Sequence, residues 1–192
     1  RGLSIVFKLK DTKTGGFILG VNVGLLVWTD GTRTIPVAFR IYSGKGVGKI
    51  RLALELLEQA QVLGFTPEYV LFDSWYASQT VLKFVEDLGW SFVTKLKKNR
   101  RLNGKPLKHY RKTPYWSSLG VLKGGLGVAV YRRAKVFITT NDLEIDFDLV
   151  KKLYAIRNVI EEASLPARCV LGTRSVPSLE AIVWLARVSI AL

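Results

Sequence analysis

The change of hydrophobic period along the first half of the chain most constrains how it can fold. Three apolar runs with the spacing of strands come first, at residues 3–9, 17–28 and 34–42. The period then lengthens to three or four residues over 50–63, which predicts a helix that Gly64 ends. A strand, a second helix and another strand follow in the prediction, at residues 69–72, 76–88 and 90–96. This order predicts a mixed α/β fold whose later strands are parallel neighbours.

The middle of the chain has a looser pattern. Glycine and proline interrupt residues 97–141, where only 128–139 resembles a strand or a hairpin, so we interpret this stretch as a mostly-β insertion. One domain over residues 1–192 is expected, with its core in 1–96 and 142–192. Because the sequence has no Met and begins directly before a strand, we expect this domain to lack its N-terminus.

Helical spacing returns near the end of the chain. It covers residues 147–165, and a last helix is predicted from about 178 to 191. The apolar end of the chain carries Glu180 and Arg187 and is too short to span a bilayer. We therefore interpret it as a buried helix.

The charge is concentrated in one stretch. Lys and Arg number 29 against 15 Asp and Glu, a formal charge of +14. Residues 88–141 contain no acidic residue and 13 Lys and Arg, nine of them in residues 95–112, named here the basic segment. Tyr110, Tyr115 and Trp116 lie within or just after it. Such a pattern favours contact with nucleic acid, whose phosphates bind cations and whose bases stack on aromatic rings. The alternative is a solvated basic loop.

Cysteine and histidine are scarce. Cys169 and His109 are single residues of their types, which excludes an internal disulfide and makes a His/Cys zinc site unfavourable. The single Cys points to a reducing compartment, the cytoplasm. A metal ion in this protein has to be held mainly by oxygen atoms.

Two places carry acids in positions suited to chemistry. Asp73 directly follows the predicted strand 69–72, and a carboxylate there points into the crevice where α/β proteins bind ligands. The alternative is an N-cap for the next helix. Tyr154, Arg157 and Glu161 share one face of a predicted helix. A surface ion pair between the last two is the alternative there.

These residues resemble a known family. Residues 70–78 (VLFDSWYAS) and 89–97 (GWSFVTKLK) resemble the region around the second catalytic Asp of the DDE transposases of bacterial insertion sequences. The spacing Tyr154-x-x-Arg157-x-x-x-Glu161 is similar to the family's Tyr-Arg-Glu-Lys signature, with Arg168 at the position of its Lys.

The resemblance implies a ribonuclease H-like mixed sheet flanked by helices, with the mostly-β insertion before the C-terminal helices. It implies DNA cleavage and strand transfer, with Asp73 and Glu161 as two of three carboxylates that hold two Mg²⁺ ions. DNA, as element ends and target, is the implied partner, with a possible homodimer on DNA, no membrane, and association with the bacterial nucleoid. The implied DNA contacts are Tyr154, Arg157, Arg168, Lys95, Lys97, Lys98, Arg100 and Arg101.

The sequence also departs from the family's pattern. The family's first catalytic Asp is expected upstream of Arg1, and Asp11 is interpreted as a turn residue. Pro166 lies between Glu161 and Arg168, where it interrupts a helix. We therefore expect the chain to be inactive by itself. One alternative is a non-catalytic DNA-binding remnant, and another is a protein that binds anionic lipid, which the missing amphipathic pattern of the basic segment disfavours.

Overall fold

The computed structural model describes residues 7–10, 16–30, 33–42, 48–110, 113–163 and 181–191. Its helices are α1 (Lys49–Val62), α2 (Gln79–Asp87) and α3 (Phe147–Ala163). Its strands are β1 (Phe7–Lys10), β2 (Phe17–Thr29), β3 (Thr34–Tyr42), β4 (Tyr69–Phe72), β5 (Ser91–Leu96), β6 (Arg101–Leu102), β7 (Lys105–Pro106), β8 (Tyr115–Val121), β9 (Gly127–Arg133), β10 (Val136–Thr140) and β11 (Ala181–Ala191).

A single large mixed sheet dominates the described part of the chain. Its order is β1-β2-β11-β4-β5-β10-β9-β8. Strand β3 also pairs with β2, along residues 22–29, whereas β1 pairs with residues 17–20 of the same strand. Strand β4 runs parallel to both β5 and β11, and the other pairings are antiparallel. The predicted β-β-β-α-β-α-β order is confirmed, including the parallel neighbours that the β4-α2-β5 unit requires.

The helices cover both faces of the sheet. Leu52 and Leu56 of α1 and Val81 of α2 pack in one core with Val70 and Phe72. The other residues of β4 point the opposite way, because side chains alternate along a strand, and pack with Val150 and Leu153 of α3. Strand β4 is therefore buried on both faces between two layers of helix.

The second helix begins later than predicted. The residues after Asp73 form a turn, in which the Tyr76 backbone N–H donates to the Asp73 carbonyl at 2.9 Å. Ser78 then caps α2, its hydroxyl accepting from the Val81 N–H at 3.2 Å. The capping alternative for Asp73 is thus wrong, and its carboxylate is available for other contacts.

The predicted helix at residues 178–191 is wrong, because Ala181–Ala191 forms strand β11. This strand lies between β2 and β4, antiparallel to the first and parallel to the second. A short apolar run rich in branched residues is compatible with a buried strand or a buried helix, and periodicity alone does not distinguish them. Pairing with two strands distant in sequence decides for the strand.

The stretch interpreted as an insertion is mostly β, and much of it extends the core sheet. The predicted strand at 128–139 is the hairpin of β9 and β10, and β10 pairs with β5. Strand β8, which the sequence pattern did not reveal, pairs with β9. Only the β6–β7 hairpin and a 3₁₀ turn at Leu107–His109 lie off the large sheet among these described elements.

Candidate active site

Asp73 lies at the carboxyl end of the buried strand β4. Its side chain is 28% exposed, and its Oδ1 accepts a hydrogen bond from the Ser74 backbone N–H. The neighbouring strand secures this end of β4, because the buried Thr94 hydroxyl of β5 donates to the Phe72 carbonyl at 2.8 Å. A partly exposed carboxylate is therefore held on a rigid element at the edge where α/β proteins bind ligands.

Helix α3 brings Arg157 to Asp73. The Arg157 Nη2 lies 3.5 Å from Asp73 Oδ2, although the two residues are 84 positions apart in the chain. The Arg157 Nη1 also donates to the Tyr154 hydroxyl at 3.4 Å. The structure thus unites the two sequence patterns that were singled out separately, the strand-end Asp73 and the Tyr154–Arg157 helix face.

Lys95 completes the group of side chains. Phe72 and Thr94 are paired in the parallel ladder of β4 and β5, so Lys95, the next residue of β5, lies alongside Asp73. Its ammonium group lies 4.4 Å from the centroid of the Tyr154 ring, a cation–π contact. We name Asp73, Lys95, Tyr154 and Arg157 the Asp73 cluster.

The members of the Asp73 cluster differ in their access to solvent. Tyr154 is 5% exposed and Arg157 is 4% exposed, whereas Asp73 keeps an open side. A guanidinium buried to this degree is stabilised by a nearby carboxylate. Because Arg157 and Tyr154 are buried and Arg157 contacts Asp73, this geometry favours a role for both residues in positioning the Asp73 carboxylate.

The start of α3 is anchored by the loop before it. The Tyr69 hydroxyl at the start of β4 donates to the Asp142 carboxylate at 2.6 Å, and burial followed by this bond raises the pKa of Tyr69. The Tyr131 hydroxyl of β9 donates to the Ile145 carbonyl at 2.6 Å. Burial also raises the pKa of Tyr131, with Asp142 and Asp146 adding to it. These contacts fix α3 against the sheet and so fix Arg157 against Asp73.

Glu161 lies in α3, one turn after Arg157, but its side chain is outside the described part, as is the whole of Arg168. That the carboxylates of Asp73 and Glu161 share a metal site therefore stays a prediction. Asp11, interpreted as a turn residue, lies outside the described residues too.

Apart from Lys95, which lies within β5, the predicted DNA-contacting residues of the basic segment come after this strand in the chain. Lys97, Lys98 and Arg101 are exposed at this end of the sheet. Arg100 differs, because its guanidinium donates to the Ala77 carbonyl and burial lowers its pKa. Arg100 thus ties the basic segment to the turn after Asp73, while its three neighbours face solvent.

Sequence reasoning missed Trp75 as a functional candidate. It lies in the turn directly after Asp73 and is 67% exposed, while the next residue, Tyr76, is 5% exposed. The ammonium groups of Lys97 and Lys49 lie 4.9 Å and 5.6 Å from the Trp75 ring centroid. The available signal was a large aromatic residue in a turn position, two residues from the acid.

The described residues do not by themselves form a site for a metal ion. Among them, no group of three or more His, Cys, Asp or Glu residues is close enough to hold one. One oxygen of Asp73 accepts from Ser74, and the other faces the Arg157 guanidinium at 3.5 Å, which would repel a cation at the same oxygen.

No helix in the described ranges has both the length and the apolar character to cross a bilayer.

A solved structure resembles this chain in its fold. A cryo-EM structure of the piggyBac transposase synaptic complex with hairpin DNA matches it with a TM-score of 0.53 and 16% identity. The match covers 84% of this chain and 37% of that chain, so this chain spans little more than a third of that length. This likeness confirms the ribonuclease H-like α/β fold. No curated protein sequence matches the chain.

The family assignment rests on a sequence profile that covers most of the chain. The profile described as "Transposase DDE domain" matches residues 6–164. That span includes the Asp73 cluster and the basic segment. The chain therefore belongs to the family of DDE transposase domains.

Proposed function

We propose that this chain is the DNA-handling catalytic domain of a DDE transposase, of the bacterial insertion-sequence subgroup with the Tyr-Arg-Glu-Lys signature. The contact between Arg157 and Asp73 carries the proposal, because it joins the signature helix to the strand-end acid. The reaction proposed for the complete enzyme is cleavage and joining of phosphodiester bonds.

The proposed ligand is DNA, in the form of element ends and target. Exposed Lys97, Lys98 and Arg101 lie at the same end of the sheet as Asp73. Phosphate contacts by Lys and Arg release counterions and make binding salt-sensitive. We assign the phosphate contacts to these three exposed residues. The role that we assign to Arg157 and Tyr154 is to position Asp73. Pairing of two copies on two DNA ends is part of the proposal.

The proposed metal ligands are Asp73 and Glu161. Carboxylate oxygens are the hard ligands that Mg²⁺ prefers, and Mg²⁺ would supply charge stabilisation at the phosphate. Arg157 holds one Asp73 oxygen in the described arrangement. Binding of a divalent ion at that oxygen therefore requires the guanidinium to withdraw.

We expect the 192-residue chain to bind DNA without nicking it. The reason is that no group of three acids able to hold a metal ion occurs in the described part of the chain, and Asp73 is paired with Arg157 instead. Supercoiled plasmid incubated with the chain and Mg²⁺ or Mn²⁺ tests this by agarose gel. Nicking that disappears in Asp73→Asn would show that the chain assembles an active centre unaided. Persistent nicking in that variant would indicate a contaminating nuclease.

DNA binding itself is the second test. We expect Lys98→Gln with Arg101→Gln to reduce the magnitude of the slope of log K against log salt by ~1.8, from ~0.9 per phosphate contact. Arg51→Gln with Lys83→Gln is the matched control, because it removes the same charge from exposed positions on α1 and α2. Fluorescence anisotropy over a salt series gives both slopes. Equal slopes in the two double variants would contradict the placement of DNA at the basic segment.

A non-catalytic DNA-binding remnant is the second candidate. The observation that favours it is the same ion pair, which neutralises Asp73 without a metal. Both candidates give DNA binding with the salt dependence described and no nicking by this chain alone, and the remnant hypothesis requires that nicking stay absent with any divalent ion. Nicking that depends on Asp73 excludes it.

A further inference from the structure

The exposed tryptophan beside the Asp73 cluster is held away from the core by the local backbone. The turn that carries Trp75 is closed by the bond from the Tyr76 N–H to the Asp73 carbonyl, at 2.9 Å. Tyr76 and Ala77 then enter the core, at 5% and 8% exposure, while Trp75 is 67% exposed. Single exposed apolar residues are common on proteins, so exposure alone does not indicate a site.

Trp75 belongs to a row in which aromatic rings alternate with cations. Lys49, at the start of α1, lies 5.6 Å from the Trp75 ring and 5.3 Å from the ring of Tyr42, the last residue of β3. Lys97, just after β5, lies 4.9 Å from the Trp75 ring. We name Tyr42, Lys49, Trp75 and Lys97 the stacking row. Its members come from four separate places in the chain, so the fold assembles it.

The stacking row has the chemistry of a nucleotide site. Aromatic faces stack on any base, and ammonium groups contact the phosphates that flank it. Each lysine reaches the ring through a flexible four-carbon stem, so its ammonium group can move from the ring to a phosphate. Cation–π contacts at exposed positions are weak, so a base can replace an ammonium group on the ring face.

We propose that the stacking row binds an unpaired nucleotide of DNA next to Asp73, with the base on Trp75 and the adjoining phosphates on Lys49 and Lys97. The inference rests on the proposed function in taking DNA as the ligand, and adds that the strand at Asp73 is unpaired. Bases inside a duplex are already stacked on one another and do not offer a free face to a side chain. The site therefore discriminates single-stranded ends from paired DNA.

The test compares two DNAs with the same paired region, one blunt and one with a short single-stranded overhang. For Trp75→Ala we expect about a tenfold loss of affinity for the overhang DNA and less than a twofold change for the blunt duplex, consistent with base–aromatic stacking. Trp75→Phe keeps a stacking face and should retain most of the affinity. Phe39→Ala is the matched control, an exposed aromatic residue (60%) on β3 outside the stacking row.

The outcomes separate this inference from the proposed function. Equal losses on both DNAs, or no loss on either, overturn the stacking row as an unpaired-nucleotide site while leaving duplex binding in place. Absence of any DNA binding by the unsubstituted chain overturns both proposals. Lys49→Gln is a second, independent variant, because it alters the row without changing the turn. It should weaken overhang binding selectively, and an unchanged preference for overhang DNA in this variant would also contradict the site.

Discussion

Replacement of Phe72 by alanine is expected to lower the free energy of unfolding by about 3–5 kcal/mol, as for other buried Phe residues. Phe72 is fully buried, and its ring lies 6.2 Å from that of Phe92 on the adjacent strand. It is also the last residue of β4, so the cavity would form directly beneath the backbone that carries Asp73.

Urea unfolding followed by circular dichroism measures this effect. Val62→Ala is the control, because Val62 is 85% exposed at the end of α1 and its truncation should change stability by less than about 0.5 kcal/mol. A loss below about 1 kcal/mol for Phe72→Ala would contradict the position of β4 at the centre of the sheet.

Replacement of Arg157 by alanine should lower the free energy of unfolding by roughly 2–3 kcal/mol. Removing one partner of a fully buried ion pair costs about 3–5 kcal/mol, and the effect here is smaller because Asp73 keeps access to water. Part of the loss is packing, since the stem of Arg157 is buried with the rest of the side chain at 4% exposure. The remainder is the loss of contacts with Asp73 and Tyr154.

Arg157→Met separates these two contributions, because it keeps most of the volume and removes the charge. We expect it to recover about half of the loss seen with alanine. Arg101→Ala, at an exposed position, is the control and should change stability by less than about 0.5 kcal/mol. Stability unchanged in Arg157→Ala would contradict the burial of this side chain against Asp73.

The same variants test what Arg157 does. A buried positioning residue should leave the salt slope of DNA binding unchanged in Arg157→Met. A residue that contacts phosphate should instead reduce the magnitude of that slope by ~0.9. The anisotropy series proposed for the basic segment gives this result with the same DNA.

The order of β1 to β5 with α1 and α2 was predictable because each element has a local signature. Apolar alternation in the strands, the change to helical spacing and Gly64 after α1 can each be recognised within a short segment of the sequence. Strand β8 was not predictable in this way. Its outward positions mix Tyr115, Ser117 and Leu119, so it lacks a clean apolar face, and pairing with β9 defines it.

The Asp73 cluster was predictable in its residues but not in its contacts. Asp73 has its strand-end position, and Tyr154 and Arg157 have their helical spacing, in the sequence itself. The contact between Arg157 and Asp73 depends on the packing of α3 across β4. It joins residues that are 84 positions apart in the chain. The stacking row was not anticipated, because Tyr42, Lys49, Trp75 and Lys97 have no shared spacing in the chain.

By itself, the sequence determined the α/β class, the basic segment, and Asp73 with the Tyr154–Arg157 face as candidates. These features depend on periodicity, charge and turn residues, which act over short distances along the chain. Only the tertiary structure decided that the apolar C-terminal run is a strand between β2 and β4, and that Arg157 is buried against Asp73. Both depend on which distant segments pair and pack, and local sequence preference does not contain that information.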